Sequence, residues 1–289
     1  MTGSITTDSA LAGDQSSLLN RNRRCPIHAE PRHLMPYLAP YLEQARKDKD
    51  ALDQARKDIQ EENSPTLFVE GPSDKIVLEA AIKIHAPSLL DNISIKTREG
   101  GAGASYVKDM LVAWVHGRND KVKAVGLLDD DDAGQTARNE INAIDKVKKS
   151  KYAKVILLSP SDPICRYRKA TYPIPVRLEE LYSPAVWQRA MTKGWLADRN
   201  LLLTIAGHKK MREFCDGLDG SDRVLLECEV NKDKKIALAN YVCALDEADK
   251  YEALQAFDRT VKKIAEAFGL SECLAESHDE QDSNAEEQE

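Results

Sequence analysis

The stretch VGLLDDDDAGQTA, from Val125 to Ala137, is an apolar run that ends against four consecutive aspartates and resumes at once as Ala133-Gly134 with a helical pattern behind it. An apolar run of strand length followed by a helix-forming segment is one βα unit. Four adjacent carboxylates repel one another, and a turn needs only one or two, so the cluster calls for a reason of its own. In extended chain, residues two apart face the same side. Either Asp129 and Asp131 or Asp130 and Asp132 can therefore share a hard cation while the others point away to solvent. The competing reading is a solvated turn whose acids favour the start of the helix.

The same alternation extends in both directions. TLFVEG (66–71) reads as a strand closed by glycine. The segment from Ser73, the expected N-cap, to Ala86 carries apolar residues at 76, 77, 80, 81 and 84 and reads as a helix. NISIKT is a second strand, EGGAGAS a glycine-rich turn, YVKDMLVAWVHG a helix closed by Gly117, KAVGLL a third strand, AGQTARNEINAIDKVKKS a helix and AKVILL a fourth strand. Strands alternating with helices of this length imply an α/β domain with a four-stranded parallel sheet and flanking helices over residues 65–160. Ligands of such sheets bind beyond the carboxyl ends of the strands. Glu70-Gly71, the glycine-rich turn and the aspartates all fall there.

Residues 1–20 are rich in Ser, Thr, Gly and Asp and read as a disordered lead-in. Residues 21–64 form a helical arm with Leu34, Leu38, Tyr41, Leu42 and Ala45 at helical spacing, and Pro36 and Pro40 place the helix start near Pro40. QARKD occurs twice in this arm, ten residues apart, and the arm is expected to pack on the body or on a partner. Residues 161–272 carry amphipathic, mostly helical segments, among them 206–218, and 273–289 form an acidic disordered tail. The net charge of −7 is the charge of Glu276–Glu289, which holds seven acids and no Lys or Arg, so the body is neutral and neither predicts nor excludes a polyanion. Six scattered cysteines without a CxxC pair exclude a disulfide framework and a zinc ribbon, and Cys25, His28 and His33 lack an evident fourth ligand. Arg166, Arg168 and Lys169, with Tyr167 and Tyr172, form either a solvated basic loop or a nucleic-acid contact. No apolar run approaches the roughly 20 residues that span a bilayer, and a cytoplasmic location without a membrane partner is expected.

Taken together, LFVEGPSDKIVLEAA and VGLLDDDDAGQTA resemble the Toprim fold of topoisomerases, primases and nucleases, whose signature is Glu-Gly after one strand and Asp-x-Asp, commonly with Ala-Gly behind it, after a later one. The resemblance covers about residues 65–158. Alignment on Ala133-Gly134 places Asp-x-Asp on Asp129 and Asp131, while the extra Asp130 and Asp132 leave the register open by one residue. VEGPSD is most similar to the nuclease branch typified by the OLD (overcoming lysogenisation defect) proteins.

That resemblance implies that Glu70 and Asp74 serve one Mg²⁺ (or Mn²⁺) and Asp129 and Asp131 another, for phosphodiester hydrolysis without a covalent intermediate. It also implies a lysine from the region after the sheet: Lys232, Lys234 or Lys235, with Lys235 expected because it adjoins the start of the next helix. In VRLEELY, Glu179 or Glu180 is a further ligand, with Glu180 the expected one. OLD-type nucleases carry an ATPase domain, but no GxxxxGK[ST] loop occurs here. The nearer resemblance is therefore to stand-alone nucleases of PARIS-type bacterial anti-phage systems, restrained by a separate ABC-type ATPase. The expected partners are nucleic acid, DNA or RNA, and that ATPase, with a homo-oligomer possible in principle. The rival readings are an RNA-maturation Toprim ribonuclease and a non-catalytic metal-binding regulatory subunit.

Overall fold

Strands β1 (Thr66–Phe68), β2 (Ser94–Lys96), β3 (Ala124–Leu128) and β4 (Ala153–Leu157) form one parallel sheet in the order β2-β1-β3-β4. Thr66 pairs with both Ser94 and Ala124, and Ala124 with Ala153, so the four strands begin in line and end at one edge. This computed structural model describes residues 31–98, 103–117, 121–169, 174–199, 217–218 and 220–274. The sequence-level segments around Cys25 and His28, at Tyr172, most of 206–218 and the tail from 275 onward lie outside the described residues.

Alternation along the strands assigns each side chain to a face. Leu67, Val69, Val125 and Leu127 enter one core, with helices α2 (Pro72–His85) and α3 (Pro87–Asn92); Phe68, Ala124 and Leu128 enter another, with α4 (Gly103–Gly117) and α5 (Asp132–Ala143). Every residue of β1 and β3 is buried, as expected of central parallel strands covered on both faces. A short helix α6 (Asp145–Lys149) leads into β4. At Gly126 the second face is so closely packed that a Cβ would lie 2.6 Å from Val107 Cγ1 and Leu111 Cδ1 of α4.

After β4 come α7 (Asp162–Lys169), a 3₁₀ turn (Leu178–Leu181), α8 (Pro184–Thr192), β5 (Leu196–Asp198), α9 (Gly220–Glu227), β6 (Cys228–Val230), α10 (Lys235–Cys243), α11 (Glu247–Leu254) and α12 (Asp258–Phe268). The helices share the first core: Leu238, Val242, Phe257, Val261 and Ile264 join Leu67 and Val125 in it. α12 ends at Gly269, whose φ of 69° supplies the left-handed cap, and the ammonium of Lys123 donates to the Phe268 carbonyl at that end. β5 and β6 form an antiparallel ribbon, Leu196 opposite Val230, that three-residue strands are too short to announce by periodicity.

The chain divides into two units, Met1–Gln54 and Ala55–Glu289. Helix α1 (Pro31–Glu61) crosses that boundary, and its start corrects the expectation of a helix beginning near Pro40, because Pro36 and Pro40 lie inside it. Each proline removes one backbone donor, and in the exposed stretch 35–47 the freed carbonyls can turn to water, so the helix survives both. The helix start of α2 also differs from expectation: its N-cap is Gly71, in extended conformation, with Pro72 rather than Ser73 opening the helix. No helix among the described residues is long and apolar enough to cross a membrane.

The Gly126 contact gives a direct check on the packing of α4 over β3. Gly126→Ala is expected to destabilise the protein by about 1–3 kcal/mol through overpacking, read by urea denaturation, with partial recovery when Val107→Ala makes room.

Candidate functional site

The order β2-β1-β3-β4 reverses direction between β1 and β3: the chain leaves β1 to one side, then crosses back over it to β3. Strand ends that flank such a reversal open a crevice between their following loops. Glu70 follows β1 and Asp129 follows β3, and the Asp129 backbone N–H donates to Glu70 Oε1 at 2.9 Å across that crevice. Of the glycine-rich segment EGGAGAS, residues 99–102 lie outside the described residues; Gly103, the first residue of α4, is at this edge, where a Cβ on it would lie 3.7 Å from Glu70 Oε2. Gly103 has φ 60°, a left-handed conformation suited to glycine.

Asp74 stands in the first turn of α2. Its Oδ2 accepts the Gly71 N–H at 2.9 Å and its Oδ1 accepts the Ser73 hydroxyl at 3.2 Å, so it secures the helix start while facing the crevice. Two more groups come from beyond the sheet. Glu179, on the 3₁₀ turn, is 3% exposed; its Oε2 accepts the Lys235 ammonium at 2.9 Å, and its Oε1 is buried with no hydrogen-bond partner. Lys235 opens α10, whereas Lys232 is exposed and Lys234 pairs with Asp233, so only Lys235 of the three candidate lysines reaches the acids.

Glu180 does not enter this cluster, which corrects its assignment as the ligand of the pair. Its Oε1 is ion-paired with Arg199 at 2.7 Å and its Oε2 accepts the Arg177 N–H at 2.8 Å, both within the protein interior. Neighbouring residues on a tight turn point in different directions; Arg199 takes one glutamate and Lys235 the other.

The four aspartates have four different situations. Asp129 faces Glu70. Asp130, expected at the solvent side, is instead buried: its Oδ2 is ion-paired with Arg168, its Oδ1 accepts from Gln135 Nε2, and its backbone exchanges two hydrogen bonds with Val176. The alternation expected from extended chain still separates 129 from 130, but the far side is roofed by α7 and the segment 174–177 rather than open to water. Asp131 caps α5, its Oδ1 accepting the Gly134 N–H at 2.9 Å, and its Oδ2 lies 3.7 Å from Arg177 Nε. Asp132 is exposed in the first turn of α5. Gly134 is required here by contact: a Cβ would sit 1.9 Å from the Asp129 carbonyl oxygen.

Burial is the largest influence on Glu70, Asp74 and Asp129. It raises Glu70 to about 7 against the opposing hydrogen bond from Asp129, with the charges of Asp74 and Asp131 adding to it. It raises Asp74 to about 6, helped by Glu179, and lifts Asp129 well above the ordinary carboxylate range, helped by Glu70, Asp74 and Glu179. Burial pulls the Lys235 ammonium down, but Glu179, Asp129 and Asp74 outweigh it and hold it above the usual lysine value. Lys235 is bonded to Glu179 and lies within electrostatic reach of Glu70, Asp74 and Asp129, so the surplus negative charge must be met by protons or by a cation.

Among the described residues no group of three or more His, Cys, Asp or Glu side chains is gathered closely enough to hold a metal ion as it stands. The chemistry of the donors nonetheless suits a hard divalent cation: they are all carboxylate oxygens, and Glu179 Oε1 supplies a lone pair that nothing among the described residues satisfies. No protein-family model, curated protein or solved structure matches the chain.

The raised acids set the pH dependence of the cation-free protein. Their folded values lie above the ordinary ones, so the stability they contribute is fully present below about pH 4 and is lost as pH rises through 6 to 7. In EDTA, the thermal midpoint is expected to carry a downward component between pH 5 and 8 that Glu70→Gln flattens; an identical pH profile for wild type and variant would contradict the placement of Glu70.

Proposed function

We propose that the chain is a metal-dependent endonuclease of Toprim type that hydrolyses phosphodiester bonds in DNA or RNA. The observation that carries this reading is the convergence of Glu70, Asp74, Asp129 and Glu179 on Lys235 at the strand reversal, with Glu179 Oε1 unpartnered. A buried, surplus-acid oxygen cluster beside a single fixed ammonium is what a phosphoryl site requires: ligands for a hard cation and a positive charge for the phosphate. Glu70, Asp74, Asp129 and Glu179 would hold the Mg²⁺ or Mn²⁺, which when bound would supply activation of a water and neutralisation of phosphate charge.

The protein's own groups do the rest. Lys235 is fixed by Glu179, so its ammonium is pre-positioned rather than swinging on a free stem, and it stays charged at neutral pH. Glu70 is held against the Asp129 backbone, which fixes the orientation of one of its oxygens. Asp74 is locked by Gly71 and Ser73 and cannot rotate away without losing both bonds. Asp131 stands at the margin. The resemblance places it on a second cation, and with Oδ1 engaged in capping α5 it would offer Oδ2, the oxygen that also faces Arg177.

The resemblance of LFVEGPSD and LLDDDDAG to OLD-type and PARIS-type nucleases carries the biological step: an effector of bacterial anti-phage defence, cytoplasmic, held in check by a separate ABC-type ATPase. The neutral body favours this over a ribosomal RNA-maturation enzyme, for which a basic body is expected.

Cleavage of mixed DNA and RNA by the full chain, with Mg²⁺ or Mn²⁺ and with or without an ABC-type ATPase that co-purifies with it, tests the proposal. Glu70→Ala and Asp129→Ala are expected to abolish cleavage, and Lys235→Met to lower kcat about a hundredfold. No cleavage by the wild type under any of these conditions would leave a non-catalytic metal-binding subunit as the reading, and unchanged cleavage in the two alanine variants would show that these acids do not carry it.

A further inference from the structure

Arg168, on the last turn of α7, is half-buried and makes more polar contacts than any role on the surface calls for. Its Nη1 is ion-paired with Asp130 Oδ2, its Nη2 donates to the Asp130 carbonyl at 3.1 Å, and its Nε and Nη2 donate to the Ile174 carbonyl at 3.1 and 3.0 Å. It touches none of the carboxylates of the cluster. What it grips is the chain on either side of them. Asp130 directly follows Asp129, and Ile174 begins the segment that runs through Val176 to Glu179. Between those segments Asp130 and Val176 exchange backbone hydrogen bonds of 2.7 and 3.0 Å, an isolated antiparallel bridge with no strand on either side to reinforce it.

A single two-bond bridge is a weak joint between two loops. The guanidinium strengthens it because its planar fork reaches a carboxylate and two backbone carbonyls at once, which an ammonium cannot do. Gln135 closes the other side of Asp130 by donating to Oδ1, so the Asp130 carboxylate is held from both flanks. This also answers the register question that four successive aspartates pose. With Asp130 drawn to Arg168, Asp129 is the residue left facing Glu70, and a slip by one position would break the buried ion pair.

We propose that Arg168 is a positioning residue that fixes the carboxylates of Asp129 and Glu179 relative to each other by clamping Asp130 to the segment 174–176. The inference rests on the reading that the cluster binds a divalent cation. Removing the clamp leaves every proposed ligand in the chain but frees the two loops that carry them, so cation affinity falls without loss of a donor.

Mn²⁺ binding to the full chain at neutral pH, followed by the paramagnetic resonance of free Mn²⁺, tests it beside the thermal midpoint in EDTA. Arg168→Met is expected to weaken Mn²⁺ at least tenfold. Asp130→Asn with Arg168→Met, which removes the carboxylate otherwise left buried and unpaired, is expected to recover much of the thermal midpoint yet remain at least tenfold weaker for Mn²⁺. Wild-type affinity in R168M, or a double variant that regains both stability and affinity, would overturn the positioning role and leave Arg168 a purely structural cation. A wild-type chain that binds no Mn²⁺ would remove the cation reading itself, and this inference with it.

Discussion

Four carboxylates, from Asp74 and Glu179, which are buried, and Glu70 and Asp129, which are half-buried, lie within electrostatic reach of one ammonium, that of Lys235. This surplus of buried negative charge is the constraint on which the remainder of the site depends. Unpaired acids in a protein interior cost several kcal/mol each unless they are protonated, hydrogen-bonded or matched by a cation. Each of those remedies is visible. Glu70 is raised to about 7 and Asp74 to about 6; Asp74 accepts two hydrogen bonds and Glu70 one from Asp129; Glu179 takes the ammonium on one oxygen. The other Glu179 oxygen has none of them. That oxygen is the point at which the proposed hard cation would complete the arrangement.

The fold supplies the arrangement through simple means. The strand reversal between β1 and β3 puts their following loops side by side, and full burial of both strands fixes the points from which those loops leave the sheet. The helices after the sheet share its core, so Lys235 is carried to the crevice by packing of α10 against α2, and Glu179 by Leu178 and Leu181 of its 3₁₀ turn, which lie in the same core. Outside the cluster, guanidinium groups engage the other acids: Arg168 on Asp130, Arg177 on Glu229 at 2.5 Å, Arg199 on Glu180. Acids near the crevice are thereby sorted into those that face it and those that are fastened away from it.

Much of this was legible in the sequence because it is local. The strand and helix alternation between Thr66 and Leu157 follows from periodicity, and the positions of Glu70 and Asp129 follow from the strand ends. Lys235 could be singled out from its neighbours by its place at a helix start. What sequence could not decide were choices made by partners far along the chain. Glu179 and Glu180 are adjacent and chemically alike, and only Lys235 and Arg199 separate their roles. Asp130 reads as a solvent-facing residue of a pleat until Arg168 and Val176 are seen to cover it. The start of α1 was misjudged because a rule about proline in helix interiors weighs less in an exposed segment, where water can serve the carbonyls it frees. An alternation of side chains says which residues share a side; it does not say whether that side meets water or another segment of the chain.

The central claim is that the surplus acids are the ligands of a hard cation. Anomalous diffraction from crystals of the full chain soaked in Mn²⁺ tests it most directly. The account predicts a manganese peak within coordination distance of Asp129 and Glu179, with Glu179 Oε1 among its ligands. A crystal in which manganese is absent from this crevice, with Glu179 Oε1 bonded to water or to protein, would contradict it.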